Sequence, residues 1–353
     1  MRVPAPTSAG EPRLVEVIAA EIVESAVATS CAVAVSVDGQ RSVAAVTRDG
    51  VSHPLVFDLA SVTKPLTATV ALAAVARGEL SLDTSVAEVL PELAGTPAAG
   101  ARVHELLSHR AGLPAWGALY RDASLSFTPE RSTPMLALPP LASLLLRAAS
   151  RRDQGVGEVY SDLGYVLLGA MLARRLGPLP ELWRAHTGIG GPPPELVSVV
   201  PTEDVAWRGG VIRGRVHDEN AFALEEAGGD PGHAGAFATA EQLVAFGESW
   251  LASLAGHGRL PAALANEAIR PREGGTHRLG WDGRSGPAPS SGRRFGARTF
   301  GHLGFTGTSV WIDPDQALVF VLLTNRVHPT RANDRLRAAR PRVHDAVLAR
   351  ILP

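Results

Sequence analysis

Glu alternates with Leu, Val, Ile and Ala at helical spacing over residues 11–28, which predicts a first helix. Two short apolar runs follow, about 31–37 and 42–47, joined by Asp38-Gly39. An Asp-Gly pair between two such runs predicts a β-hairpin. Asp58 then precedes an apolar helix from about Ala60 to Arg77, closed by Gly78. Residues 79–230 carry mostly helical patterns, broken at Leu113-Pro114, Pro139-Pro140 and Gly188 to Pro194. Tyr165 to Leu176 reads as an apolar helix ended by Gly177-Pro178. Thr239-Ala240-Glu241-Gln242 matches a capping box for a helix reaching about Leu254. The last third returns to strands at Phe300–Phe305, Ser309–Asp313 and Ala317–Thr324, with a turn at Pro314-Asp315-Gln316. A final helix covers about Arg331–Leu352.

Strands at both ends with helices between them predict an α+β chain: an antiparallel sheet flanked by helices, with an inserted, mostly helical lobe. The α/β lobe is expected from about 11–78 and 235–353, and the helical lobe from about 79–234. No repeat is visible, and the one low-complexity piece is the Gly/Ser/Arg/Pro loop 283–298.

A net charge of −1 over 353 residues argues against a nucleic-acid partner. Cys31 is the only cysteine, so no intramolecular disulfide can form. It lies in the run Cys31-Ala32-Val33-Ala34-Val35, which reads as a core strand with an inert, buried thiol. Residues 1–10 hold prolines and Gly10 and no apolar stretch behind a basic start. The longest uncharged apolar stretch, about Pro65 to Ala76, is too short to span a bilayer. A cytoplasmic protein without a membrane span is expected, and the oligomeric state stays open. The arginine-, alanine- and proline-rich composition fits a GC-rich bacterial genome.

Composition matters most at one residue. Of the 34 basic residues only Lys64 is a lysine, leaving 33 arginines. Arginine can serve every role of a surface cation, but it cannot give up its proton, whereas a buried ammonium can. Lys64 lies in the first turn of the apolar helix, where the helix dipole penalises a cation by up to about 1 kcal/mol. Burial is expected to push it further toward the neutral amine. Ser61 stands three positions earlier, on the same helical face. A serine becomes a nucleophile when a base takes its proton, and a helix start supplies N–H groups for an oxyanion.

Phe57-Asp58-Leu59-Ala60-Ser61-Val62-Thr63-Lys64-Pro65 resembles the nucleophile motif of the serine β-lactamase and penicillin-binding-protein superfamily, closest to class C β-lactamases and their family VIII-type esterase relatives. The resemblance continues in order through Leu106 to Pro114, Tyr160 to Tyr165 and Gly301 to Thr308, and covers about residues 15–350. It implies one catalytic domain, an acyl-enzyme on Ser61 and Lys64 as proton acceptor. It also implies that Tyr160 relays the proton to the leaving group, with a phenol pKa lowered by the nearby ammonium. Read alone, Tyr160 fits better as a loop tyrosine packed on a helix; within the ordered set of motifs the functional reading is preferred.

The chain departs from the family pattern at two places. Asp162 stands where asparagine is usual, and a carboxylate cannot donate to a substrate carbonyl. Near Lys64 it would raise the lysine pKa and oppose its use as a base; pointing away, it would only cap the following helix. His302-Leu303-Gly304 replaces Lys-Thr-Gly. The resemblance makes Gly304 the point of close backbone approach and pairs the Phe305 and Ser61 N–H groups as the oxyanion hole. His302 is mostly neutral at pH 7 and Leu303 lacks a hydroxyl, so both departures favour neutral acyl substrates. His302 could also be a plain strand histidine. His217 and His233 fit either a cleft lining or ordinary loops. There is no H-E-x-x-H motif or cysteine cluster, so no metal or other cofactor is expected.

The expected activity is acyl-serine hydrolysis of a small ester, amide or β-lactam. A carboxylesterase ranks above a D-amino-acid peptidase or amidase, and both rank above a true β-lactamase. The alternative is a sensor or binding protein on this fold that acylates once and stalls. An α/β-hydrolase is excluded by the lack of G-x-S-x-G and of alternating strands and helices.

Overall fold

The computed structural model describes residues 11–50, 54–122, 124–126, 135–137, 140–153, 155 and 157–352. The expectations drawn from residues 1–10 and the loop residue Pro139 lie outside them.

Its centre is a six-stranded antiparallel sheet. The strands run in the order Gln40–Thr47, Ser30–Val37, Leu318–Thr324, Ser309–Asp313, Phe300–Leu303 and Asp282–Gly283. The predicted hairpin forms at Asp38-Gly39, where both residues take positive φ (48° and 79°). That is the backbone a tight two-residue turn needs, and the reason glycine follows aspartate there.

Both faces of the sheet are buried, so its central strand reads as a continuous apolar run. Leu318–Thr324 is buried at every position. One face carries Cys31, Val33, Phe320 and Leu322 and packs under the first and last helices, Glu11–Glu24 and Leu336–Ile351. Burial raises the Cys31 thiol pKa far above its ordinary value, as an inert core cysteine requires. The other face carries Val319, Val321 and Phe300 and packs against Ala240–Leu254 and the apolar helix Thr63–Ala76. Phe246, Trp250, Trp281 and Phe300 stack there with centroids 5.0–6.1 Å apart. This aromatic block fixes the Phe300–Leu303 strand from beneath, and truncating one member to alanine is expected to cost about 3–5 kcal/mol.

Several element ends differ from the sequence expectation. The first helix stops at Glu24, because Ala26 turns left-handed (φ 55°) and the carbonyls of Ala26 and Val27 accept from Arg335 and Asn333. The last helix begins at Leu336, not Arg331. Arg331 instead ties Glu203 and Glu219 together, at 2.6 Å from each. Between the helices of the middle region a short hairpin pairs Ser124–Ser126 with Met135–Ala137, which the helical pattern did not suggest. Loop 283–298 is anchored as well. The Arg293 and Arg294 amides donate to Asp345 of the last helix, and Phe295 is buried against Trp311. No helix among the described residues is long and apolar enough to cross a membrane.

Candidate active site

Ser61 sits in a single 3-10 turn, Ala60–Val62, that runs directly into the helix Thr63–Ala76. The turn is strained at its first residue, because Ala60 takes φ 46°, a conformation costly for a residue with a Cβ. Buried Asp58 offsets that cost. Its Oδ1 accepts from the Ala60 N–H at 2.8 Å and its Oδ2 from the His217 N–H at 2.6 Å. Asp58 therefore shapes the start of the Ser61 turn, where the sequence suggested only a helix start.

Two threonines bind this turn to the sheet. Thr306 Oγ1 donates to the Asp58 carbonyl at 2.8 Å and Thr308 Oγ1 to the Leu59 carbonyl at 2.9 Å. Gly304 lies between the same partners. A side chain there would collide with the Leu59 carbonyl and the Thr308 hydroxyl. Glycine at this position thus lets the strand end close on the nucleophile turn. The strand stops at Leu303, one residue before Gly304, and Phe305 follows as a half-exposed ring. That ring stacks on His217 (5.8 Å between centroids) beneath the guanidinium groups of Arg326 and Arg331.

Lys64 is fully buried. Its ammonium donates to Ser61 Oγ at 2.9 Å and to the His233 carbonyl at 3.2 Å, and it pairs with Asp162 Oδ1 at 2.6 Å. Its Nζ also lies 4.9 Å from the Tyr160 ring centroid. Two expectations are corrected here. Burial does push Lys64 toward the neutral amine, as expected. The Asp162 carboxylate, with help from Tyr160, outweighs it, so the lysine pKa ends above its ordinary value. Lys64 rests as an ammonium. Tyr160 moves the other way from the sequence reading: burial outweighs the ammonium, and the phenol pKa is raised, not lowered.

Asp162 does not cap its helix. That role falls to Ser161, whose Oγ accepts from the Gly164 N–H at 3.2 Å. With the cap supplied by its neighbour, Asp162 turns toward the lysine.

A histidine cluster surrounds Tyr160. His109, His277 and His302 lie 4.5, 5.3 and 6.0 Å from its ring centroid. His302 is buried beside the Lys64 ammonium, and both effects lower its pKa to about 3, burial being the larger. Its Nδ1 lies 2.9 Å from the Leu303 carbonyl. A carbonyl only accepts, so the proton sits on Nδ1 and Nε2 keeps its lone pair. His109 is also held neutral, first by burial and then by the charges of its neighbours. Its Nδ1 accepts from the Ser161 N–H at 2.9 Å. His277 donates from Nδ1 to Glu158 at 2.6 Å, and Glu158 also accepts from the Thr276 and His277 amides.

His217 and His233 join the site by different routes. His217 lines the cleft and pairs with Glu203 at 2.9 Å. The His233 ring pairs with Asp218 at 2.9 Å, while its carbonyl reaches Lys64. Asp218 is held well below its ordinary pKa: burial raises it, but His233 and the Ala221 N–H lower it more.

The cleft is a cavity of about 690 Å³. Its lining joins Ser61, Tyr160, Asp162 and His302 to Phe305 and to Leu336, Arg337 and Arg340 of the last helix. Among the described residues, no group of three or more histidine, cysteine or acidic side chains is placed to hold a metal ion. Asp58, Thr306, Thr308, His109 and the Glu158–His277 pair carried no separate sequence signal beyond their places in or near the motifs. Arg340 did carry one, because it falls on the buried stripe of the last helix with Leu336, His344 and Val347.

With this geometry in place, comparison with known proteins becomes informative. A protein of Escherichia coli (strain K12), whose name provisionally assigns it as a D-alanyl-D-alanine carboxypeptidase, is 29% identical over 322 residues, covering 77% of this chain and 69% of its own. The structure of EstCE1, described as a hydrolase with promiscuous acyltransferase activity, superposes with a TM-score of 0.69 at 20% identity, covering 95% of this chain and 97% of that one. A class C beta-lactamase from Rhodobacter sphaeroides superposes with a TM-score of 0.65 at 20% identity, covering 97% and 100%. Both structures share the fold. The Beta-lactamase family model matches residues 18–343, nearly the whole length, and the chain therefore belongs to the beta-lactamase family.

Proposed function

We propose that this protein is a serine hydrolase that cleaves small esters through an acyl-enzyme on Ser61. The observation that carries the reading is the contact chain Ser61–Lys64–Asp162, with steps of 2.9 and 2.6 Å. Because Lys64 rests as an ammonium, it needs somewhere to send a proton before it can take one. Asp162 supplies that place. As Ser61 Oγ attacks the carbonyl carbon, its proton moves to Lys64 Nζ while a lysine proton moves to Asp162. The carbonyl π electrons move to oxygen, where the N–H groups of Ser61 and Phe305 are the proposed donors. Collapse of this intermediate expels the alkoxide, which takes a proton through Tyr160, itself resupplied from Lys64. Water then releases the acid by the same path in reverse, restoring Ser61.

Esters rank first for a local reason. His302 is neutral and offers a lone pair at Nε2, and Leu303 offers no hydroxyl. Neither can hold a substrate carboxylate beside the nucleophile. Asp162 is committed to Lys64 and cannot donate to an amide carbonyl. D-amino-acid peptides or amides rank second and β-lactams third. The Escherichia coli relative's name favours a peptidase and EstCE1 a broader acyl hydrolase, and neither decides the ranking. A second reading, a sensor that acylates once and stalls, is favoured by the ammonium state of Lys64, which leaves deacylation short of a base.

Hydrolysis of p-nitrophenyl butyrate by the wild type and by Ser61→Ala separates the two. Sustained turnover that disappears in the alanine variant supports the hydrolase. A single burst equal to the protein concentration supports the sensor, and activity surviving in Ser61→Ala rejects Ser61 as the nucleophile.

A further inference from the structure

Arg340 is a buried cation without a partner. It belongs to the last helix and lines the same cavity as Ser61, with the residue only 8% exposed. Among the described residues it makes no hydrogen bond, ion pair or ring contact, and its Nε is buried and unsatisfied. Burial and the nearby Arg326 lower its pKa to about 10, and no carboxylate opposes them. The other arginines of that cavity are accounted for. Arg331 holds Glu203 and Glu219, and Arg326 holds the carbonyls of Phe305, Arg331 and Asn333. Arg337 lines the cavity beside Arg340 and is exposed. The same helix has no capping side chain and no acidic residue in its first turn, so its positive end adds to the field. Of the acidic residues that line the cavity, Asp162, Asp218 and Glu219 are paired, while Asp282 and Asp334 have no ion-pair partner among the described residues; Asp334 is exposed, and neither pairs with Arg340.

An unpaired buried guanidinium is costly, and a protein retains one where a ligand completes it. Ser61 and Arg340 line the same cavity. One edge of the Phe300–Leu303 strand is paired along its length with Ser309–Asp313, but on the other edge Asp282–Gly283 reaches only Phe300 and Gly301 and leaves His302 and Leu303 unpaired. We propose that Arg340, assisted by Arg337, is an anion subsite, and that the natural substrate is an ester carrying a carboxylate or similar oxyanion distant from the scissile bond. The inference rests on the hydrolase reading for the word ester, but the anion site itself does not. It also moves substrate charge recognition off the strand: His302 is no fixed cation, and the last helix brings one to the same cavity.

Binding to Ser61→Ala tests the site without turnover. The probes are phenyl butyrate, which is neutral; 3-(butyryloxy)benzoate, anionic on the leaving-group side; and monophenyl glutarate, anionic on the acyl side. Titration calorimetry is expected to show one anionic ester binding roughly tenfold or more tighter than phenyl butyrate. That advantage should vanish in Ser61→Ala/Arg340→Met and survive in part in Ser61→Ala/Arg340→Lys. The favoured probe reports which side of the substrate carries the charge. Equal binding of all three esters, or an advantage that persists without Arg340, overturns the proposal. A ligand-free thermal melt guards against misfolding, because removing an unpaired buried charge should leave Tm equal or higher. A marked fall would mean that Arg340 is structural and would also overturn it. If the wild type turns over none of the three esters while the binding advantage stands, the ester reading fails and the anion site remains.

Discussion

Lys64 and Arg340 are both buried cations, Lys64 behind the cavity-lining Ser61 and Asp162 and Arg340 in the wall of the same cavity, and their partners differ. Lys64 has a serine, a carbonyl and a carboxylate within 3.2 Å. Arg340 has no partner among the described residues. The residue types match the difference. A lysine among fixed partners can exchange protons with them; an arginine with no partner can only attract charge. Under the proposed function, the Lys64 group exchanges protons and Arg340 waits for a charged ligand.

The sharpest break of this comparison is Lys64→Arg. It keeps the charge and removes the proton transfer, so kcat/KM should fall by about a thousandfold or more while circular dichroism stays native. Retained turnover would remove Lys64 from proton transfer.

Asp162→Asn comes next and separates two ways of using that lysine. With Asp162 as proton sink, the variant can react only after Lys64 has lost a proton to solvent. The acid limb of its kcat/KM profile should then move up by about one pH unit or more. If the carboxylate merely opposed the base, its loss would lower the lysine pKa and the limb would move down.

Arg340→Met probes the other cation through stability. Removing an uncompensated buried charge should raise the unfolding free energy by about 1–3 kcal/mol in denaturant titration. A loss of that size would show that the guanidinium is already satisfied in the ligand-free protein.

Thr308→Val tests whether the Ser61 turn is held in register with the sheet. It removes the hydroxyl that binds the Leu59 carbonyl and should cost about 1–2 kcal/mol. Because the nucleophile turn loosens, kcat should fall more than KM rises.

The last effect is a graded one with pH. His302 and His344 are held neutral with pKa values near 3, burial being the first cause for both, against an ordinary value of 6.5. The unfolded chain binds these protons more readily than the folded one. Stability should therefore fall steadily as pH drops from about 6.5 toward 3. His344→Gln should flatten that slope, and an unchanged slope would mean that His344 protonates without loss of fold.

The site was legible where its chemistry was local or rare. Ser61 and Lys64 are one helical turn apart, and Lys64 was the chain's only lysine. Gly304 and Phe305 came with the strand motif. What the sequence could not convey was direction. Asp162 fits a cap or an ion pair equally well in one dimension; the choice was made by Ser161, which took the cap once the helix docked. The protonation state of Lys64 follows from that choice, and the raised Tyr160 pKa, opposite to what the resemblance implies, follows first from burial. The sheet was readable because Ser30–Val37 and Leu318–Thr324 are mostly apolar runs buried on both faces and lie beside strong turns. Asp282–Gly283 and Phe57–Asp58 are two-residue strands, too short to carry a period. The lateral ties from Thr306 and Thr308 join residues about 250 positions apart, and no local pattern reports such a contact.

The central claim is the covalent step on Ser61, and intact-mass spectrometry tests it most directly. Protein quenched in acid during p-nitrophenyl butyrate turnover should carry one butyryl group, located on Ser61 by peptide mapping and absent from Ser61→Ala. An unmodified wild type during active turnover, or a butyryl group on another residue, would contradict the account.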